Sequence, residues 1–310
     1  MKKSIRIGTR GSVLALIQAE GVKAQLETRH PRLYFELTVI KTTGDKILDV
    51  PLAAVGGKGL FVKEIEEALL DGRIDLAVHS MKDVPTVFPA ELTMGAITRR
   101  EDPRDVLISR KQARLDALPR EARIGTSSLR RQSQLLNLRP DFTIVPLRGN
   151  LDTRIKKLET EQLDGIIVAA AGVIRMGWQE KIAEHVPPAR ILPAIGQGAL
   201  GIQIRRDDSE LGEIISFLHN SETAVTVGAE RMFLTRLEGG CQVPIAAFGV
   251  IEKGMLSLEG LIGSLDGTAL IRDAVRGMPE EGEKLGIALA EKLLSSGGAE
   301  ILGEVYGRKL

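Results

Sequence analysis

Basic residues crowd one stretch of this sequence. Arg120, Arg123, Arg130, Arg131, Arg139, Arg148, Arg154, Lys156 and Lys157 are set against only Glu121, Asp141 and Asp152, within a 310-residue chain of formal net charge +1. The chain as a whole exerts no strong field on nucleic acid or membrane, so the concentration is local: a ligand site or a solvated face. Guanidinium forks hold carboxylate or phosphate through paired hydrogen bonds, which points to a small polyanion. The alternative is a set of surface arginines in water. Arg130 and Arg131 fall in the first turn of an expected helix, where a cation opposes the macrodipole unless an anion compensates it. Aromatic residues make up only 3% of the chain, which argues against a base-stacking platform for RNA.

Other residue types could also do chemistry. Asp83, in HSMKDVPT, follows an expected strand and stands beside Lys82; a carboxylate there stabilises a developing cation or caps a turn. His79, at the end of the same buried run, is expected to be structural. Lys58 lies in VGGKGLFVKEIE, which lacks the spacing of a phosphate loop and suits a turn or a lid carrying one cation. Cys241, the only cysteine, follows Gly239 and Gly240. It is either a small buried hydrophobe or a thiol presented in a loop.

Elements must position these groups. SIRIG, YFELTVI and RIDLAVHS read as strands and alternate with helical patterns over 12–30 and FVKEIEEALLDG, the order of a mostly parallel sheet with helices on its faces. Ligands bind beyond the carboxyl ends of such strands, which selects Thr9, Arg10, Gly11, Ser12 and 79–85. After RREDPRD a second set follows: ARIGTSSLRRQSQLLNL, FTIVPLRGN, LDTRIKKLE and LDGIIVAAAGV. Its opening IGTSSLRRQ echoes IGTRGSVLALIQ, as expected for two similar α/β domains whose arginines meet across a cleft. LPAIGQGALGIQIR is expected to return the chain to the first domain, making two connections and a hinge. A helix from Ser221 to Glu238, the strands PIAAFGVI, MLSLEGLIG and ALIRDAVRG, and a helix over 279–294 form a third, α+β unit. The start, MKKSIRIGTR, has no apolar core of a secretory signal. One cysteine and no zinc spacing argue against disulfides and structural metal, and the apolar run GIIVAAAGVI is about half a bilayer span. A cytosolic monomer is the expectation.

Taken in order, IGTRGSVLALIQA, TTGDK, GGKGLFVKEIE, DLAVHSMKDVPT, REDPRD, IGTSSLRRQSQL, RGNLDTRIKKL, DGIIVAAAGVIRMG, LPAIGQGALGIQ and LEGGCQVP cover most of residues 5–248. Together they strongly resemble the porphobilinogen deaminase (hydroxymethylbilane synthase) family. The resemblance implies two periplasmic-binding-protein-like domains with doubly wound mixed sheets, 1–98 with 199–217 and 104–193, plus a smaller α+β domain, 221–310. It implies a transferase that joins four porphobilinogen molecules, releases ammonia and frees hydroxymethylbilane, elongating from a covalent dipyrromethane. Cys241 would carry that cofactor as a thioether, and Asp83 would stabilise the azafulvenium cation formed as ammonia leaves. Cofactor binding would involve Lys58, Lys82, Asp83, Ser128, Arg130 and Arg131; substrate binding would involve Arg10, Ser12, Arg148, Arg154, Arg175 and Gln197. No metal, nucleic acid or membrane partner is implied. Ala54 stands where many relatives have a second lysine, so the lid would carry one cation fewer. Two other readings compete: a reversible solute-binding protein with the same two-lobed pattern, and a cysteine hydrolase, for which no histidine has a motif that places it as partner base.

Overall fold

In β1 (Ser4–Arg10) buried Ile5 and Ile7 flank half-buried Arg6, and β2 (Tyr34–Ile40) buries Phe35 between exposed Tyr34 and Glu36, the alternation of a strand with one covered face. The protein is seen here as a computed structural model describing residues 4–46, 62–238 and 243–307. The described residues divide into two compact units, one holding 4–46, 62–101 and 198–224, the other holding 102–197, 225–238 and 243–307.

The first unit is built on a five-stranded sheet of order β2-β1-β3-β10-β4, with β3 (Leu76–Ser80), β4 (Leu92–Ile97) and β10 (Leu200–Arg205). β1 runs parallel to β2 and β3, whereas β10 is antiparallel to both β3 and β4. Helix α1 (Val13–Arg29) joins β1 to β2, and α2 (Lys63–Leu70) precedes β3. Leu76 and Val78 pack with Ala19, Val22 and Leu26 of α1, while Ala77 packs with Ile65, Ala68 and Leu69 of α2. Successive strand residues point to opposite faces, so the two helices cover opposite sides of the sheet.

The second unit repeats this plan. Its sheet, β7-β6-β8-β5-β9, is made of β5 (Asp105–Ser109), β6 (Arg123–Gly125), β7 (Thr143–Val145), β8 (Gly165–Ala169) and β9 (Glu184–Val186). Again the first three are parallel and the next is antiparallel to both its neighbours. The helices are α3 (Leu129–Leu138), α4 (Leu151–Thr160) and α5 (Ala170–Arg175). The echoed IGT segments thus lie on β1 and β6, each the second strand in sheets with the same order of directions.

After β10 come α6 (Ser209–Ile215) and α7 (Ser221–Arg236), whose start is capped by Asn220, Oδ1 accepting from Thr223 N–H at 2.9 Å. Within the second unit, Phe233 of α7 packs with Leu289 and Leu293 of α8 (Gly282–Leu293) over Leu256, Leu258 and Ile262. These last lie on a three-stranded antiparallel sheet, β11 (Ile245–Glu252), β12 (Met255–Gly263) and β13 (Leu270–Gly277), followed by α9 (Ala299–Tyr306).

Where the chain leaves and re-enters the first unit, the two passing segments touch: Glu101 N–H donates to Gly198 O at 3.2 Å. Gly198 has φ +95°, and a Cβ there would stand 2.4 Å from the Glu101 carbonyl oxygen. Only glycine fits both conditions. Gly198→Ala is expected to lower stability by about 1–3 kcal/mol, read as a reduced thermal midpoint; an unchanged midpoint would show that the crossing tolerates a side chain.

Candidate functional site

In the first unit the candidates gather at the carboxyl ends of two adjacent parallel strands. Arg10 is the last residue of β1, and Ser12 caps α1, its Oγ accepting from Ala15 N–H at 3.3 Å. Lys82 and Asp83 occupy the 3-10 turn Met81–Asp83 directly after β3. That turn is anchored from below, because the Met81 side chain is buried and its N–H donates to Ala199 O at 3.0 Å. The anchoring leaves Asp83 exposed and Lys82 half-buried. The sheet thus presents a fixed carboxylate with cations nearby, an arrangement able to hold an anion and to stabilise a forming cation.

In the second unit, the connections after β6 and β7 are tied together. Thr126 N–H donates to Val145 O and Ser127 Oγ to Leu147 O, each at 3.0 Å. Ser128 takes the N-cap position of α3, but its side chain makes no capping bond, and the first turn of α3 holds no acidic residue. Arg148 sits in the adjacent connection, and Arg154 on α4 donates from Nε to Gly149 O at 2.8 Å. Arg175 ends α5, the helix after β8. Ser128, Arg130, Arg148 and Arg154 therefore share the carboxyl edge of β6 and β7.

Arg130 and Arg131 are organised by a residue that the sequence did not single out. Asp105, the first residue of β5, is completely buried. Its Oδ2 accepts from Arg130 Nη1 at 2.7 Å; its Oδ1 accepts from Arg131 Nη2 at 2.7 Å, Arg131 Nε at 3.1 Å and Gln197 Nε2 at 3.0 Å. Burial pushes the Asp105 carboxyl up, but the two guanidinium charges and their hydrogen bonds outweigh it and hold the carboxyl far below the usual carboxylate range. Arg131 also donates from Nη1 to Ile167 O, which engages every nitrogen of its fork. Arg130 uses only Nη1, shared with Leu192 O, and its Nε and Nη2 make no hydrogen bond among the described residues. Of the two expected ligand-binding arginines, the structure thus gives Arg131 an inward, structural set of partners and leaves half of the Arg130 fork uncommitted. Gln197 is likewise turned inward, also donating to Pro103 O at 2.7 Å.

Sequence reasoning also passed over Glu230. This buried α7 carboxylate accepts from Gly196 N–H at 2.7 Å and from Gly249 N–H at 2.9 Å, joining the segment before the second crossing to β11. An acid within an otherwise apolar helical stretch was the available signal. Cys241, Lys58 and Ala54 lie outside the described residues. Among the described residues no group of acids, histidines or cysteines is arranged to hold a metal ion, and no helix is long and apolar enough to cross a membrane.

Two mixed α/β sheets with basic and hydroxyl side chains at their strand ends define the class: a protein of the doubly wound α/β kind. The sequence matches the family described as porphobilinogen deaminase, dipyromethane cofactor binding domain, over residues 5–213, and the porphobilinogen deaminase C-terminal domain over 224–295. Curated relatives named porphobilinogen deaminase include those of Geotalea uraniireducens, 59% identical over 99% of this chain and 96% of that protein, and Geobacter metallireducens, 58% identical over the same shares. That of Syntrophobacter fumaroxidans is 55% identical over 97% of this chain and 98% of its own length. Among solved structures, the periplasmic VFT2 domain of Bordetella pertussis BvgS aligns over 72% of this chain and 91% of that one, at 15% identity and a TM-score of 0.42. The chain belongs to the porphobilinogen deaminase family. Its activity is the assembly of porphobilinogen into a linear tetrapyrrole by elongation from bound dipyrromethane, a transferase reaction of tetrapyrrole synthesis.

Removing Asp105 leaves two guanidinium groups buried without their acceptor. Asp105→Ala is expected to lose about 3–5 kcal/mol of stability, measured by denaturant unfolding, and a loss below about 1 kcal/mol would show the ion triad to be dispensable. Because the folded carboxyl is depressed, its contribution is complete above the unfolded value near 3.9 and disappears only as the pH falls through the folded one. The wild type is therefore expected to keep this stabilisation at pH 5.

Proposed function

We propose that this chain is a hydroxymethylbilane synthase in which Asp83 is the catalytic carboxylate and Cys241 the thioether anchor of the dipyrromethane. The observation that carries the placement of the acidic ligand is the first turn of α3. An uncapped Ser128, no acidic residue, and the uncommitted Nε and Nη2 of Arg130 together form a donor set without an internal anion. Such a set fits the acetate and propionate groups of a dipyrromethane. When bound, that cofactor supplies the terminal pyrrole whose free α-carbon accepts the next unit.

The chain's own residues then divide the work. Arg130, with Ser128, Lys58 and Lys82, binds carboxylates of the dipyrromethane. Arg10, Ser12, Arg148, Arg154 and Arg175 do the same for the incoming porphobilinogen. Asp83 contacts pyrrole N–H and stabilises the positive charge left on the incoming ring as ammonia departs. Arg131 and Gln197, the other expected ligand contacts, also brace Arg130 through Asp105. The three-part division into 1–98 with 199–217, 104–193 and 221–310, with hinges near 99–104 and 193–199, would let a fixed Asp83 serve successive additions. A cytosolic monomer is proposed.

Intact-protein mass spectrometry tests the anchor. The wild type should carry the mass excess of one dipyrromethane, and Cys241→Ser should lack it and its activity; a fully active protein without added mass rejects the assignment. Asp83→Asn is expected to fold normally and lose about 100-fold or more in turnover, and retained turnover removes Asp83 from the role.

A further inference from the structure

The face of the first sheet covered by α2 is apolar, lined by Ile40, Ile65, Leu69, Ile74, Ala77 and Leu92. A chain of three polar side chains crosses it. His79 lies two residues beyond Ala77 on β3, and Gln203 lies opposite Ala77 on β10, so both share the face that Glu66 of α2 closes. Their exposures are 6%, 0% and 9% for His79, Gln203 and Glu66.

Gln203 is the link. Its Nε2 donates to Glu66 Oε1 at 3.0 Å, and its Oε1 stands 2.9 Å from His79 Nε2. An amide oxygen only accepts, so His79 Nε2 carries the ring proton and Nδ1 holds the lone pair. Burial pushes His79 down to about 4; the Gln203 bond and the charge of Asp83 oppose this, and Arg10 adds to it. Burial also raises Glu66, against its bond from Gln203. The groups acting on the ring are therefore Gln203 from β10, with Glu66 of α2 behind it, Asp83 from the turn after β3, and Arg10 from β1. Apolar side chains of similar volume would pack this face at least as well, so stability alone does not account for the polar chain.

We propose that Glu66 and Gln203 are positioning residues that hold His79, four residues before Asp83, in one neutral form. By locking the ring as its neutral Nε2–H tautomer, they keep an imidazolium from competing with the cation that forms on porphobilinogen as ammonia leaves. This rests on the reading of Asp83 given above.

Two measurements test it. The chain has four histidines, so nitrogen-15 spectra resolve the His79 ring in the wild-type holoenzyme. A neutral Nε2–H ring at pH 6 is expected, and a protonated ring or the Nδ1–H tautomer overturns the proposal without bearing on the activity. Gln203→Glu places a carboxylate against the ring and is expected to raise its titration by about one to three units. Turnover of porphobilinogen should then fall about tenfold one unit below the new value, with KM unchanged, since protonation follows tenfold per unit. Adding His79→Asn should abolish that acid limb. A raised titration with an unaltered pH profile, or a limb that survives His79→Asn, overturns the proposal. If Gln203→Glu does not fold, Gln203→Leu replaces it; mixed tautomers with reduced turnover support the proposal, and an unchanged Nε2–H ring overturns it. Turnover retained in Asp83→Asn would instead reject the reading of Asp83 and leave the tautomer result standing.

Discussion

The second unit depends on one buried carboxylate. Asp105 joins four parts of the chain that are remote in sequence: strand β5, which it begins, the first turn of α3 through Arg130 and Arg131, the segment ending at Gln197, and, through Arg131, the Ile167 carbonyl of β8. Desolvating a carboxylate and two guanidinium groups is expensive, and the arrangement holds because both carboxylate oxygens accept from guanidinium donors and every nitrogen of the Arg131 fork is engaged. One negative charge meets two positive ones, so the cluster keeps an excess of positive charge. That excess, fixed beside an uncapped helix start, is available to an external acid.

The two halves of the repeated plan use the same turn differently. After IGT in the first sheet, Ser12 caps its own helix and Thr9 Oγ1 donates to Ala15 O at 3.1 Å, so that turn is internally satisfied. After IGT in the second, Thr126 Oγ1 accepts from Ser128 N–H at 3.2 Å and the Ser128 side chain makes no cap bond. One turn is closed by its own side chains, and the other leaves the Ser128 hydroxyl outside any cap bond.

Much of this was legible in the residues. The apolar runs of β1, β2, β3 and β8, the amphipathic helices between them and the return of the chain at LPAIGQGALGIQIR follow from periodicity and turn residues, because the signals are local. Strands β4, β5 and β9 were not read, since short runs beside proline-containing segments carry little period and are set by partners far along the chain. The inward hydrogen bonds of Arg131 were hidden for the same reason: its acceptor lies 26 residues away, and Gln197 meets the same carboxylate across 92. Sequence indicates that an arginine sits at a helix start but not whether a buried acid waits beneath it. The thiol and lid lysine rest on family resemblance, as both fall outside the described residues.

The place of β10 has a consequence for how the molecule comes into being. Among the described residues strand β4 pairs only with β10, and β3 needs β10 on one side, yet 102 residues separate the end of the first pass at 97 from the start of β10, as the pairing of Thr98 with Leu200 reflects. On the ribosome, the first sheet must therefore wait, with two strand edges unpaired, until the whole second sheet has been made. Exposed edges recruit other chains. A nascent form of this protein is thus most vulnerable to aggregation during that interval, and a truncation anywhere before residue 205 would leave its N-terminal sheet open.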